Sequence, residues 1–203
     1  MESNYWNIKA FDYDTHLKKS ENAYLKIIEL IKIEIDKSQT LLDLGTGTGE
    51  IPIAFADGVM KIIATDFSQE MIDIAFKKSK KLKLDNITFK VQDCYAQNYG
   101  NEIFDVIIAS NLLHLLDEPE QFINSLKRLL NKGGKLIIPT YLHNESFKTR
   151  FISKILKFKG HPINTKFDSI SLVEFITNCG YNVEKRVFIK NIMPMLFVVA
   201  TRK

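Results

Sequence analysis

Short apolar runs alternate along the chain with longer segments in which apolar residues recur at helical spacing. Five of the runs predict buried strands, since each is too short for a helix and is bounded by polar or turn residues: 40–45, 61–66, 87–93, 104–110 and 135–141. The segments with helical spacing predict helices at 21–35, around Pro52, and at 68–84, 118–131 and 171–180. Two further runs, 181–190 and 195–203, are separated by only four residues and predict an antiparallel hairpin.

Local signals place several boundaries. Ser68 is predicted to cap the helix that follows it, and the pairs Asp117/Glu120 and Ser171/Glu174 are spaced as capping boxes. Gly133 and Gly134 are expected to stop the helix at 118–131, and Pro139 to interrupt the end of its strand. Residues 1–20 are rich in aromatic side chains and are predicted to be irregular.

Strands that alternate with helices are typical of a parallel sheet covered by helices on both faces. We therefore predict one α/β domain over residues 1–203, built on a doubly wound, seven-stranded, mostly parallel sheet with an antiparallel C-terminal hairpin. Ligands of such sheets bind at the carboxyl ends of the strands, where the strand order reverses. The segments that lie there are 45–49, 66, 93, 110 and 141–143.

Composition narrows the protein class. Hydrophobic residues make up 45% of the 203 residues and charged residues 26%, which is typical of a globular protein. The net charge of +4 is too small to indicate nucleic-acid binding. Two cysteines predict neither a disulfide framework nor a cysteine zinc site, and we expect no metal. With no apolar run near the ~20 residues of a membrane span and no signal-peptide pattern, we expect a cytoplasmic protein.

The segment LLDLGTGTGE, residues 41–50, concentrates three of the nine glycines between a strand and a helix. Such a loop offers free backbone N–H groups at a helix start. Its pattern is G-x-G-x-G, and Glu50 stands where dinucleotide enzymes have their third glycine, so a pyrophosphate would meet a carboxylate. No Gly-Lys-Ser/Thr of a phosphate-binding loop follows. Together with nearby Asp43, the loop favours a ligand without phosphates that carries positive charge.

Two more acids end successive strands. Asp66 lies 66 − 45 = 21 residues after Gly45, a spacing at which a carboxylate accepts from ribose hydroxyls in either ligand class. Asp93 ends the third strand, where it could accept from an exocyclic amine. Each acid alone could be an ordinary turn residue, but three at neighbouring strand ends indicate a site.

At these residues the chain resembles the class I S-adenosylmethionine-dependent methyltransferases, which share a Rossmann-like sheet of this topology. The resemblance rests on LLDLGTGTGE, ATDFSQEMI, VQDCYAQ, FDVIIASNLLHLL and LKRLLNKGGKLII, in that order. It implies that S-adenosyl-L-methionine is the cofactor. The residues it implies for cofactor binding are Asp43, Gly45, Thr46, Gly47, Gly49, Asp66, Phe67, Met71, Asp93, Cys94 and Ser110.

The acceptor is inferred mainly from what is absent. The segment after the fourth strand, SNLLHLL, contains neither an Asn-Pro-Pro-Tyr type motif of nucleobase amino-methyltransferases nor a Pro-Cys pair. It is similar to the small-molecule branch that includes quinone-biosynthesis methyltransferases. His114 is the candidate for proton transfer, although a structural role is equally compatible. Residues 1–36 are a candidate helical lid, and the candidate substrate or lid residues are Tyr13, His16, Tyr141 and His143.

Residues 143–168 form a predicted insert on the substrate side. Six Lys or Arg residues and no acid lie between Glu145 and Asp168, and Phe147, Phe151 and Ile155 repeat at four-residue spacing. This pattern predicts a basic amphipathic helix. We expect its apolar side to pack on the core and its lysines to face solvent. A substrate lid, a site for an anionic substrate and transient contact with a membrane surface stay open.

The main prediction is therefore a methyltransferase that acts on a small molecule by direct displacement. An RNA or protein methyltransferase of the same fold is the first alternative, although nucleic acid is disfavoured as a partner. An NAD-dependent oxidoreductase and a cofactor-binding protein without catalysis are the others. The oligomeric state and the acceptor atom are left open.

Overall fold

The computed structural model describes residues 3–18 and 20–203, without the side chains of residues 3, 4 and 18. Its helices are α1 (Ser3–Lys18), α2 (Glu21–Lys32), α3 (Glu50–Phe55), α4 (Gln69–Lys81), α5 (Pro119–Leu126), α6 (Phe147–Phe158) and α7 (Ser169–Asn178). Its strands are β1 (Thr40–Leu44), β2 (Lys61–Asp66), β3 (Ile87–Val91), β4 (Phe104–Ile108), β5 (Leu130–Tyr141), β6 (Tyr181–Ile189) and β7 (Met195–Arg202). Within those ranges, no helix is both long and apolar enough to cross a bilayer.

The seven strands form one sheet in the order β3-β2-β1-β4-β5-β7-β6. The first five pair in parallel, and β7 runs antiparallel to both β5 and β6. The predicted α/β sheet and its antiparallel C-terminal hairpin are confirmed. The order reverses at β1, whose neighbours are β2 and β4, so the carboxyl end of β1 is the expected ligand position.

Alternating residues of the strands belong to two hydrophobic layers, one on each face of the sheet. On β1, Leu41 belongs to a layer shared with α2 and α3, whereas Leu42 belongs to a layer shared with α5 and α7. Because successive side chains of a strand point to opposite faces, both sides of the central strands must be apolar. This explains why the strand runs in the sequence are continuous rather than alternating.

Three boundary predictions are wrong. The helix α5 begins at Pro119 with Glu118 as its N-cap, and neither Asp117 nor Glu120 forms a capping box. It ends at Leu126, and β5 already starts at Leu130, so Gly133 and Gly134 lie in a strand rather than after a helix. The pairing of β4 with β5 shifts register here, which lets the strand begin early beside Phe104.

The capping box of α7 is displaced by one turn. Asp168, not Ser171, is the N-cap, and its Oδ1 accepts from the Ser171 amide at 2.8 Å. Ser171 closes the box by accepting from the Asp168 amide at 2.9 Å. At α4 the local signal is confirmed, because Ser68 Oγ accepts from the Met71 amide at 3.2 Å.

The prediction that residues 1–20 are irregular is also wrong, because residues 3–18 form α1; residues 1, 2 and 19 lie outside the described ranges. The apolar residues of α1 do not share one face: Ile8 and Phe11 are exposed, whereas Ala10 is buried. The helix therefore lacks the periodicity from which a helix is predicted. Pro139 does not end its strand either, since it pairs with Phe197 inside β5.

Candidate functional site

The glycine loop leaves β1 at the point where the strand order reverses. Gly45, Gly47 and Gly49 all have left-handed backbone, with φ of +69°, +55° and +83°. The Thr46 amide donates to the Thr65 carbonyl at 2.9 Å, which ties the loop to the end of β2. A side chain at residue 47 would meet the ring of Tyr13, whose Cε1 lies 3.4 Å from the Cβ position. The loop thus lies between the sheet and α1.

Asp66 at the end of β2 holds the loop directly. Its Oδ2 accepts from the Gly47 amide at 2.9 Å, and its Oδ1 accepts from the Ser68 amide at 3.0 Å. Burial raises the pKa of this carboxyl, and the amides of Ser68, Gly47 and Phe67 partly offset the rise. The predicted ribose-binding acid therefore also organises the loop in the ligand-free protein.

Asp43 is 1% exposed at the centre of the site. Neither carboxylate oxygen has a hydrogen-bond partner among the described residues. Burial raises its pKa from 3.8 to about 7, and the charge of Asp66 adds to the rise. The Thr46 hydroxyl is near enough to lower the pKa, yet it makes no hydrogen bond of normal geometry there. A buried carboxylate without donors is unfavourable for folding, which indicates a role toward a ligand.

A small cleft opens beside the loop. Its lining residues come from the ends of β1 and β2 and from the segments after β3 and β4: Gly45, Asp66, Phe67, Gln92, Cys94 and Leu112. Gln92 Nε2 is buried without a partner among the described residues. Gln92 and Leu112 were missed in the sequence, although both lie within two residues of predicted site residues.

The remaining predicted cofactor residues differ in their exposure and in whether they line the cleft. Asp93 is exposed, and its Oδ1 accepts from the Tyr95 amide at 2.9 Å, whereas Met71 is buried and does not line the cleft. Ser110 is half-buried just after β4 and precedes Asn111, which has a left-handed φ of +52°. Burial and nearby Asp93 raise the pKa of Cys94 to about 12, which keeps the thiol protonated near pH 7.

A second group of side chains lies at the carboxyl ends of β4 and β5. The ring centroid of His114 is 4.9 Å from that of His143 and 5.7 Å from that of Tyr141. Both histidines are buried, at 2% and 1% exposure. Burial lowers the pKa of His143 to about 4 and that of His114 well below 6.5, so both rings are neutral near pH 7.

The helices α1 and α6 pack over this group. His143 Nδ1 lies 2.8 Å from Ser153 Oγ of α6, and its Nε2 is buried without a partner among the described residues. From α1, the Tyr5 hydroxyl lies 2.9 Å from His161 Nδ1, just past α6. Burial raises the pKa of the Tyr13 hydroxyl, and nearby Tyr141 and Asp66 raise it further. Tyr13 thus joins the glycine loop to the histidine group.

His16 is not brought to this group. Its ring is exposed and contacts the Asp12 carbonyl of its own helix at 2.8 Å. In the part of the chain that the structure describes, no cluster of three or more His, Cys, Asp or Glu side chains could hold a metal ion.

The Glu50 carboxylate forms an ion pair, which weakens the argument that its charge would oppose a pyrophosphate. Lys78 Nζ lies 2.6 Å from Glu50 Oε1 and 2.7 Å from Asp14 Oδ2. The Thr48 hydroxyl also donates to Asp14 Oδ1 at 2.6 Å. These contacts fasten α1 over the start of α3. Lys78 shares its single positive charge between Glu50 and Asp14, so it offsets the charge of Glu50 only in part, and the argument against a pyrophosphate is weakened rather than removed.

Blocking the loop tests its role. Gly47→Val is expected to reduce S-adenosylhomocysteine affinity by at least about tenfold, because a branched side chain would meet Tyr13 and disfavour the left-handed backbone. Calorimetric titration of the folded variant measures this. Because Gly100 also has positive φ but nothing within 4 Å, Gly100→Val is the control for backbone strain. Unchanged affinity in Gly47→Val would remove the loop from the site.

The residues present fit S-adenosylmethionine. The Asp43 oxygens, which have no partner among the described residues, can accept from a cationic ligand, and the Asp66 carboxylate lines the cleft, where it can accept from hydroxyl groups. Thr46 Oγ1 and Gln92 Nε2, both buried without partners among the described residues, add polar groups around the same cleft. A polar ligand of mixed charge would satisfy these groups.

Comparison with known proteins agrees with this geometry. A family model described as a methyltransferase domain matches residues 35–178. An uncharacterised protein of Methanocaldococcus jannaschii is 28% identical over 85% of this chain and 78% of its own length. A ubiquinone biosynthesis O-methyltransferase of Coxiella burnetii is 30% identical over 55% of this chain and 47% of its own length. Phosphoethanolamine N-methyltransferase 1 of Arabidopsis thaliana is 28% identical over 66% of this chain but only 27% of its own length.

Solved structures show the same fold. A SAM-dependent methyltransferase of Aquifex aeolicus aligns with TM-score 0.69 and 23% identity over 87% of this chain and 89% of its own. Magnesium protoporphyrin IX methyltransferase of Synechocystis, with bound SAH, aligns with TM-score 0.73 and 18% identity over 95% of this chain and 87% of its own. With a methyltransferase-domain model matched over residues 35–178, which span five of the seven strands, the chain belongs to the methyltransferase-domain family and is an S-adenosylmethionine-dependent methyltransferase.

Proposed function

We propose that this enzyme methylates a small, uncharged acceptor through a hydroxyl or amine held by His114, Tyr141 and His143. The observation that carries the proposal is the buried Nε2 of His143, which has no hydrogen-bond partner in the described part of the chain. It belongs to a ring group at the carboxyl ends of β4 and β5, next to the strand that carries the glycine loop. A buried polar atom without a partner is unfavourable unless a ligand satisfies it.

The electrostatics of this group favour an uncharged acceptor. Both imidazoles are neutral near pH 7, so neither supplies the positive charge that a phosphate or carboxylate would need. A neutral imidazole nitrogen can instead accept from a hydroxyl or an amine. The aromatic rings of Tyr141 and Tyr13 offer apolar contact to the body of such a molecule.

The cofactor supplies a methyl group bound to a sulfonium sulfur. Asp66, Asp43, Thr46 and Gln92 are the residues that would hold it, and a cationic ligand would favour the charged form of Asp43. His143 and Tyr141 would position the acceptor, while α1 and α6 exclude water. A low pKa makes His114 a weak base, so its hydrogen bond is expected to contribute more to orientation than to proton removal.

Two of the matched relatives support a small acceptor, since their names describe a ubiquinone-pathway O-methyltransferase and a phosphoethanolamine N-methyltransferase. This chain spans about half or less of each of those two proteins, so the acceptor does not transfer from them. The alternative is an RNA or protein acceptor, and the experiment must distinguish it from a small-molecule acceptor.

The test follows a labelled methyl group from S-adenosylmethionine into cell extract divided into small molecules, RNA and protein. We expect label in the small-molecule fraction. In His143→Gln, the amount of the small-molecule fraction that gives half the maximal rate (the apparent KM) is expected to rise by about tenfold or more, because a buried hydrogen bond to the acceptor is lost. Gln121→Ala, on the exposed side of α5, is the control and should keep the wild-type KM.

Cofactor binding is measured in parallel by thermal unfolding. S-adenosylhomocysteine at 100 times its Kd should stabilise wild type and His143→Gln equally, by about 2.7 kcal/mol. In a chain of this size that is a midpoint shift of roughly 5–10 °C, and NAD should give none. Label in RNA or protein, or a His143→Gln variant with normal KM, would contradict the proposed acceptor site while leaving the cofactor assignment intact.

A further inference from the structure

The inward side of α6 combines Thr149 and Ser153 with half-buried Ile152 and Leu156, so only part of its apolar surface faces the core, contrary to the expectation for the whole apolar side. Thr149 and Ser153 are buried, at 3% and 0% exposure. Four large apolar residues of the helix are exposed, at 79%, 58%, 41% and 94% for Phe147, Phe151, Ile155 and Phe158, whereas Ile152 and Leu156 on the opposite side are half-buried. We call the four exposed side chains the outer stripe.

Polar contacts on the inner side of α6 contribute to its orientation. Ser153 Oγ donates to the Thr149 carbonyl at 2.7 Å and lies 2.8 Å from His143 Nδ1. At the start of the helix, Ser146 and Thr149 form a complete capping box. Rotating the apolar side inward would break the contact with His143 and bury lysines. The outer stripe is therefore a stable feature of the surface.

Cations flank the outer stripe on both sides. At 3.6 residues per turn, its four members lie within about 80° of one another around the helix. Lys148 and Lys159 border one side of the stripe, and Arg150, Lys154 and Lys157 border the other. All five are exposed, as is Lys166, and none has a carboxylate within salt-bridge distance among the described residues.

We propose that the outer stripe and its flanking cations dock on an anionic lipid surface. An apolar stripe bordered by cations is suited to a membrane interface, where the apolar groups enter the acyl boundary and the lysines meet lipid phosphates. A second copy of the chain fits poorly, because pairing α6 with α6 would bring two sets of unpaired cations together. The inference concerns docking alone and does not depend on the proposed acceptor.

The test is flotation of the full chain with vesicles of phosphatidylcholine, with and without about one-third phosphatidylglycerol. We expect binding to the anionic vesicles and little to the neutral ones, falling as salt rises. The double variant Phe151→Ser/Phe158→Ser should bind at least about tenfold more weakly, with an unchanged thermal midpoint because both side chains are exposed.

Phe76→Ser is the matched control. Phe76 is 48% exposed on α4, a helix that also carries several lysines, so the change removes a similar side chain from another basic surface. It should leave vesicle binding unchanged. Lys148→Gln/Lys154→Gln should weaken binding to the anionic vesicles only.

Three outcomes would overturn the proposal. One is the absence of binding to anionic vesicles at low salt. Another is equal binding by wild type and Phe151→Ser/Phe158→Ser, which would place the contact elsewhere. A third is a wild-type dimer in sedimentation that becomes monomeric in this double variant, which would make the stripe an interface between copies of the chain.

Discussion

Asp43→Asn is expected to stabilise the ligand-free protein and to weaken cofactor binding. The pKa of Asp43 is raised from 3.8 to about 7, so its folded state prefers the protonated form. The resulting stability is complete below about pH 4 and is lost as pH rises through 7. The asparagine variant keeps the neutral form at every pH. It should therefore be more stable than wild type by about 2–4 kcal/mol at pH 8, with a much smaller difference at pH 5.

The same change removes a buried carboxylate that has no hydrogen-bond partner among the described residues, two positions before the glycine loop. Affinity for S-adenosylmethionine should fall by about 10- to 100-fold, since a charged hydrogen bond contributes about 1.5–3 kcal/mol. Denaturant unfolding at both pH values and calorimetric titration measure the two effects. Asp57→Asn, at an exposed carboxylate, is the control and should change neither. A destabilised Asp43→Asn protein with normal affinity would show that Asp43 is structural.

Gly49→Ala is expected to destabilise the fold strongly. Gly49 has φ of +83°, and a Cβ there would lie 2.8 Å from Ala75 Cβ and 3.3 Å from Ala75 Cα of α4. Backbone strain and overpacking together should reduce the free energy of unfolding by about 2–4 kcal/mol. The thermal midpoint should fall by roughly 5–15 °C.

Gly160 provides a matched control because its φ is +82° and nothing lies within 4 Å of its Cβ position. Gly160→Ala should lose only the strain component, about 1 kcal/mol. Denaturant unfolding of both variants separates the two effects. Equal losses in the two variants would mean that the close approach of α4 is not what requires glycine at residue 49.

The sheet was predictable because its central strands are buried on both faces and therefore appear in the sequence as continuous apolar runs. Ile107 and Ile108 point to opposite sides of β4, and each is fully buried, so the run is apolar throughout. Chain order then determines most of the topology, since parallel strands need long crossovers and the final pair needs only a short turn. Even so, residues 92–103 join β3 to β4 without a helix, which the alternating pattern did not indicate.

Helix ends were less predictable because several residues near each end could form the cap. Asp168 and Ser171 are both good N-cap residues, and the choice between them depends on where the chain arrives from α6. At α5, pairing with Phe104 draws residues 130–134 into β5 before the glycines can end a helix. In both cases a contact distant in sequence overrides the local signal.

In the candidate site, too, some features follow from local sequence and others depend on contacts that are distant in sequence. The strand ends that carry Asp43 and Asp66 could be located from the sequence, because carboxyl ends of parallel strands share one edge of the sheet. The contact of Tyr13 with Gly47 could not, because it depends on how α1 crosses the loop. The pairing of Lys78 with Glu50 is likewise a product of the packing of α4.

The residue pattern alone predicted the seven strands, the helices other than α1, the glycine loop and the acids around it, because burial and backbone conformation constrain residue type locally. It also determined that α6 has an apolar stripe and several cations. Which side of α6 faces the protein depends on tertiary packing. Periodicity gives the relative positions of residues around a helix, whereas the contact of Ser153 with His143 contributes to its orientation. That contact helps to direct the outer stripe to the surface.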